Sequence, residues 1–345
     1  VKNAHDPWEF RDGMYPAGGN TDHKLFGNEK INYYSDMTMF AEGRWGTEIP
    51  LLAGCTDYNV RLIDEEGNTD GTYLFDPANP PMYNPLSGLY SRSSLVYVPY
   101  DAQKQPAYCD RTLENPRTDG VNGTLEFAEY EGVKGFRRYL AVYLPAHYAR
   151  NREEPYKVIY ISHGFQIESK GCEMRWFHEC AIKNIMDHLE TDYVVVSENN
   201  SDLLWNFDDI WEEQKRIFQF AEEKYHVSSA QKDRAYFGFS MGGLTASVMY
   251  MKHNDSFRYY GVWNAANYEM MKELTGEEKK ALAGKDVRVQ VAYGDWDYAM
   301  PLLDDFRRGL EEMGVNYDYL TVPGSHDWKC FALIFADSAK NFLFR

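Results

Sequence analysis

Long apolar runs are missing from this sequence, and without one the chain has no segment that reads as a membrane-spanning helix. Positive charge is scarce: 36 Lys and Arg against 53 Asp and Glu leave a net charge of −17. A chain this acidic repels phosphate backbones, so no nucleic-acid partner is expected and a polyanionic substrate is disfavoured. Cysteine is sparse. Cys55, Cys109, Cys172, Cys180 and Cys330 form no C-x-x-C pair, which signals neither a disulfide framework nor a zinc site. Cys172 and Cys180 lie two helical turns apart, roughly 12 Å, too far to be bridged. No internal repeat or low-complexity tract is visible, and no metal or cofactor is called for. No basic-then-apolar stretch opens the sequence. The acidic balance fits a secreted protein, as it fits many cytosolic ones, and an extracellular location is the expectation.

Aromatic rings, by contrast, are plentiful, with 27 Tyr, 19 Phe and 8 Trp. Tyr and Trp join an apolar ring to a polar handle, which suits sugar or phenolic ligands, although most such rings pack in cores. The 345 residues leave room for two domains. Residues 1–25, with "FRDGMYPAGGNTDHK", read as an extended arm. Residues 26–105 carry short strand-like runs broken by turn signals and predict a small β-sandwich. Residues 106–122 are polar and proline-containing and read as a linker.

From residue 123 to 345 the texture changes. "GTLEFAEYEG" and "GFRRYLAVYLP" predict two antiparallel strands. "YKVIYISHG" and "YVVVSENN" are continuous apolar runs, as strands buried on both faces require. Helical periodicity follows, as in "DDIWEEQKRIFQFAEEKYHV", with Ile210, Ile217, Phe218 and Ala221 on one face. Strands alternating with helices predict an α/β fold with a mostly parallel central sheet covered on both sides.

The chemistry lies at the strand ends. "GFSMGG", Gly238–Gly243, sits where the buried run "RAYFGF" gives way to the helix "MGGLTASVMY". That is the strand–turn–helix context of a nucleophile elbow, with Ser240 at its apex. The backbone N–H of Met241 is placed to bind a developing oxyanion. A serine hydroxyl needs a base held by an acid, in the chain order Ser, Asp or Glu, His. Two histidines follow Ser240. His253 ends the helix after the elbow, on the solvent side; His326, in "VPGSHDW", follows the last predicted strand and is the expected base. For the acid, "VQVAYGDWDYAM" offers Asp297, with Asp295 as runner-up; Asp327 is adjacent to His326 and badly placed to reach its Nδ1. "ISHGFQ" follows the first long buried strand, so the backbone of Phe165 or its neighbour is the second oxyanion donor, and His163 is a structural side chain. Trp176, Asn199, Trp205, Trp263 and Trp296 fall in loops at this edge and are candidates for lining the substrate pocket.

Taken together, "YKVIYISHG", "YVVVSENN", "DRAYFGFSMGG", "YGDWD" and "GSHDW" resemble the esterase-D-like α/β-hydrolases. More narrowly, they are similar to bacterial feruloyl and acetyl-xylan esterases of the first carbohydrate esterase family. The resemblance runs from about Gly123 to the C-terminus. Upstream, "DGTYLFDPANP" resembles the end of an immunoglobulin-like, carbohydrate-binding-type module that precedes some of these esterases. The resemblance implies a serine esterase that cleaves feruloyl esters of plant cell-wall arabinoxylan, with a cell-wall polysaccharide ester or feruloylated oligosaccharide as partner. Acetyl-xylan esterase and siderophore (enterochelin-type) esterase are the alternatives. "HGFQIESKGC" lacks the glycine pair often found after the His-Gly, which leaves the shape of the oxyanion loop open.

Overall fold

A computed structural model of the chain describes residues 24–25, 29–30, 37–42, 44–48, 51, 53–62, 73–107, 110–165, 171–203 and 205–345. The centre is one mixed sheet of eight strands. β1 (Thr124–Glu131) and β2 (Arg137–Leu144) form an antiparallel hairpin. Then come β3 (Lys157–Ser162), β4 (Tyr193–Ser197), β5 (Arg234–Phe239), β6 (Tyr259–Trp263), β7 (Arg288–Gly294) and β8 (Tyr317–Val322). The spatial order is β1-β2-β4-β3-β5-β6-β7-β8. β2 meets β4 antiparallel, and every pairing from β4 to β8 is parallel. The continuous apolar runs are the central strands, because only helices on both faces can bury them: β4 and β5 are buried along their whole length. β1 lies at the edge and alternates, with Ala128 and Tyr130 turned inward.

Two helical layers cover the sheet. On one face lie α3 (Phe207–Tyr225), α4 (Met241–Lys252), α5 (Tyr268–Glu273), α6 (Gly276–Ala283) and α7 (Met300–Glu312), packed through Ile210, Ile217, Met249, Met271, Leu282 and Phe306. On the other lie α1 (Arg175–His178), α2 (Ile182–His188) and α8 (Trp328–Asp337), packed through Trp176, Ile185, Ile334 and Phe335. α3 starts where expected because Asn206 caps it, its side chain accepting the Asp209 N–H at 3.1 Å, and Asp208 and Asp209 complement the helix dipole. α4 is apolar nearly all round and is buried from Met241 to Met251, Leu244 excepted. The mixed sheet and its two layers are an α/β-hydrolase arrangement.

Upstream, the described residues form separate two-stranded antiparallel pairs. Gly54–Tyr58 pairs with Ser94–Val98, and Tyr83–Asn84 with Leu89–Tyr90. The sandwich expected over 26–105 lies partly outside the described residues, as do the arm at 1–25, apart from Lys24–Leu25, and Cys109. Within the linker expected over 106–122, Arg111 and Glu114 are 4% and 3% exposed and form a buried ion pair. Glu114 accepts the Cys55 N–H at 2.9 Å, Arg111 donates to the Lys329 carbonyl at 2.5 Å, and Lys329 Nζ donates to Cys55 O and Thr56 Oγ1, both at 2.8 Å. A polar composition reads as loop, but here the charges satisfy one another inside the molecule.

Candidate active site

β5 ends at Phe239 and α4 begins at Met241, leaving Ser240 alone in the turn. Its backbone has φ 55° and ψ −121°, a strained conformation for a residue with a Cβ. The surroundings over-determine it: Ser240 N–H donates to Trp263 O at 2.9 Å, and its carbonyl accepts from Leu244 at 3.0 Å. The flanking glycines are demanded by contact, since a Cβ on Gly238 would run into the Gly242 carbonyl and one on Gly242 into Ser162 O. Ser240 is half-buried at the carboxyl edge of the sheet, at the N-terminus of a helix.

His326 follows β8 at the same edge. Its Nδ1 lies 3.0 Å from Asp297 Oδ1 and 2.9 Å from Oδ2. Asp297 is 3% exposed and held from two further sides, by the Ala299 N–H at 2.7 Å and by Asn264 Nδ2. A carboxylate fixed in this way sets the ring orientation of the histidine through Nδ1. Asp295 does something else: it accepts the Gly324 N–H at 3.1 Å and ties the loop after β7 to the loop after β8. Asp327 caps α8, accepting the Cys330 N–H at 2.9 Å. His253 stands at the far end of α4, about 20 Å from Ser240 along the helix axis, and is half-buried with its ring flat on Trp211 at 3.8 Å rather than turned to solvent.

A family model described as "Putative esterase" matches residues 135–342, more than half of the chain and inclusive of Ser240, Asp297 and His326. The chain belongs to this esterase family. It is a carboxylic ester hydrolase. No curated protein sequence matches the esterase. Solved structures of similar fold include a ferulic acid esterase from Anaeromyces mucronatus in complex with ferulic acid, at 17% identity and TM-score 0.57, covering 69% of this chain and 97% of that one. The feruloyl esterase module from Clostridium thermocellum, complexed with sinapinate, gives 21% and 0.55, covering 67% and 90%. The enterobactin esterase from Shigella flexneri gives 15% and 0.56, covering 81% of this chain and 73% of that one.

The esterase places its two expected oxyanion donors on neighbouring strand ends. Met241 opens α4, where a helix leaves its first N–H groups unpaired. Phe165 follows His163-Gly164 after β3, with its ring half exposed; residues 166–170 lie outside the described part. His163 is a staple for this loop. Burial pushes its pKa down to about 4 and keeps it neutral, with Nδ1–H donating to Gly164 O at 2.6 Å and Nε2 facing Ser201 Oγ at 3.2 Å.

The five pocket candidates divide. Trp176 is fully buried in α1, not in a loop, with Nε1 donating to Ser162 O at 3.2 Å and its ring edge-on to Phe239, Trp263 and Trp328. Trp263 is fully buried too and donates to Gln290 Oε1 at 3.0 Å. Both are core residues under the site, which corrects the expectation that they touch substrate: an indole this large is the best filler between a sheet and a helical layer. Asn199 is half-buried and donates to Glu173 Oε2 at 3.1 Å. Trp296 is half-buried and hydrogen-bonds Gly324 O through its backbone. Trp205 is exposed.

Sequence reasoning passed over three groups. Tyr298, 61% exposed, lays its ring 4.6 Å from that of His326. Asn264 sits at φ 59° just after β6, a left-handed asparagine at a strand end, and that pairing was a usable signal. Glu198 at the end of β4 is buried, accepts from Tyr236 Oη at 2.6 Å, and burial pushes its pKa up to about 7. Among the described residues, no group of three His, Cys, Asp or Glu could hold a metal, and no helix is long and apolar enough to cross a membrane.

Proposed function

We propose that this protein is a serine esterase acting on hydroxycinnamoyl esters of plant cell-wall arabinoxylan. One observation carries the reading: a histidine clamped by a buried aspartate at the sheet edge where a strained serine opens a helix. Ser240 Oγ attacks the ester carbonyl while His326 Nε2 takes its proton. The N–H groups of Met241 and Phe165 receive the oxyanion. Collapse expels the sugar alcohol, which takes the proton back from His326 and leaves an acyl group on Ser240. Water, deprotonated by His326, then releases the acid. Asp297 holds the ring and stabilises the imidazolium formed in each half-reaction. The acyl assignment is supported by the quoted motifs, by feruloyl esterases among the structures of similar fold, and by the exposed Tyr298 ring against His326. The resemblance of "DGTYLFDPANP" supports reading the upstream segment as the immunoglobulin-like module, and an extracellular location goes with the substrate. Release of ferulate from methyl ferulate, beside release of acetate from acetylated xylan, tests the reading in wild type and Ser240→Ala. Serine-dependent ferulate release is expected; acetate release alone moves the substrate to acetyl-xylan.

A second reading, a catecholate siderophore esterase, is favoured by one fact. The enterobactin esterase covers 81% of this chain, against 69% for the Anaeromyces enzyme, so its likeness extends further along the chain. The net charge of −17 opposes a trianionic substrate. Hydrolysis of a 2,3-dihydroxybenzoyl-serine ester in preference to methyl ferulate would select it.

A further inference from the structure

The hairpin Tyr83–Tyr90 has two residues in each strand, too little to be stable alone. It is nevertheless locked. Asn84, fully buried, donates to Glu173 Oε1 at 2.9 Å, and the other oxygen of Glu173 takes Asn199 at the end of β4. Asn84 Oδ1 accepts the Leu86 N–H at 3.0 Å and shapes the turn, and Arg137 at the start of β2 donates to Leu86 O at 3.1 Å. The Tyr90 carbonyl lies against Gly171, just before α1. All of these anchors sit at the carboxyl edge of the sheet, the edge of Ser240.

What this lock displays is aromatic. Tyr83 and Tyr90 are cross-strand partners with ring centroids 4.6 Å apart, and Phe75 joins at 6.5 Å from Tyr90. Their exposures are 45%, 52% and 40%, high for packed rings. Three rings offer far less area than a protein partner needs. Two of them carry hydroxyls, and the rim is polar, with Arg137 paired to Glu129 at 2.8 Å. Flat apolar faces with polar edges match a pyranose, which has the same division. Position separates this surface from the acyl site. β4 and β2 are two and three strands from β5, so the platform stands roughly 10–14 Å to one side of the nucleophile. An acyl group bonded to Ser240 cannot occupy it, whereas the chain on the alcohol side of the ester can.

We propose that Phe75, Tyr83 and Tyr90 form a binding platform for the uncharged glycan chain that bears the scissile ester. The inference rests on the reading above for the identity of that chain, here xylan. It is tested in the full chain by calorimetric binding of unesterified xylo- and arabinoxylo-oligosaccharides to Ser240→Ala, with and without Tyr83→Ala and Tyr90→Ala. The double substitution is expected to weaken binding about tenfold. In the Ser240 background it should raise KM for a feruloylated oligosaccharide while leaving methyl ferulate kinetics at the wild-type value. Equal affinity with and without the two rings overturns the platform, and so does absence of oligosaccharide binding in Ser240→Ala. An enzyme that binds the oligosaccharides through these rings yet cleaves no feruloyl ester keeps the platform and overturns the acyl assignment.

Discussion

The helical layers over the central sheet and the segment upstream of Gly123 attach to that sheet by different physics. The layers are held by hydrocarbon: Ile185, Ile217, Phe306, Ile334 and Phe335 are all fully buried. The upstream segment contributes little of that kind, with Cys55, Leu95 and Ala181 making a small separate cluster. Its hold is polar: Arg111 with Glu114, Lys329 with Cys55 and Thr56, His178 Nε2 with Ser93 O at 2.6 Å, and Ser91 with Glu179 at 3.0 Å. Apolar burial is non-directional and tolerant of substitution, whereas a buried charge is costly once its partner is lost. The attachment of the upstream segment is therefore specific but brittle, and Lys329 brings it to the first turn of α8, three residues after His326.

The largest expected effect lies in the catalytic half. Ser240→Ala, His326→Ala and Asp297→Asn should each lower kcat on methyl ferulate by about 10⁴-fold or more, with thermal stability retained. Next comes the polar attachment. Glu114→Gln leaves Arg111 buried without its anion and should cost about 3–5 kcal/mol of unfolding free energy in urea, while turnover per folded molecule stays at the wild-type value. A loss well under 1 kcal/mol in that titration would show that the upstream segment does not depend on its buried charges.

The same contrast explains what could be read from the sequence. Buried parallel strands announce themselves as apolar runs, and β3, β4 and β5 fall where "YKVIYIS", "YVVVS" and "RAYFGF" placed them. Strand ends then pointed to Ser240, His326 and Asp297, and the structure brings the last two within hydrogen-bonding distance of each other. Trp176 and Trp263 were misread because an indole beside a strand end has no periodicity to tell core from pocket, and only the packing partner decides. The burial of Arg111 and Glu114 could not be read from residues 106–122, because they look like any exposed pair until Lys329, more than two hundred residues later, is brought to them. Asn84 with Glu173 left no local trace for the same reason, and Asn264 was legible only as an asparagine at a strand end, not as the partner of Asp297.

Smaller effects are expected from single groups inside the catalytic half. Burial, reinforced by Glu213, raises the Glu198 pKa from 4.5 to about 7, against the opposing hydrogen bonds from Tyr236 and Ser162. Between those values the folded chain binds a proton that the unfolded chain has released, so this group makes stability fall as pH rises. Glu198→Gln, neutral throughout, should gain on wild type by on the order of 2 kcal/mol between pH 5 and pH 8 in urea unfolding. A gap that does not change with pH would show Glu198 to be ionised in the folded state across that range. The smallest expected change is at the rim. Tyr298→Ala should raise KM for methyl ferulate about fivefold and leave that for an acetyl ester unchanged.

The most direct test of the central claim is intact-mass analysis of the full chain after treatment with a fluorophosphonate, for wild type and Ser240→Ala. The expected result is one adduct on the wild type, mapped to Ser240, and none on the variant. An unmodified wild type, or a variant modified as fast as wild type, would contradict the assignment of Ser240 as the nucleophile activated by His326 and Asp297.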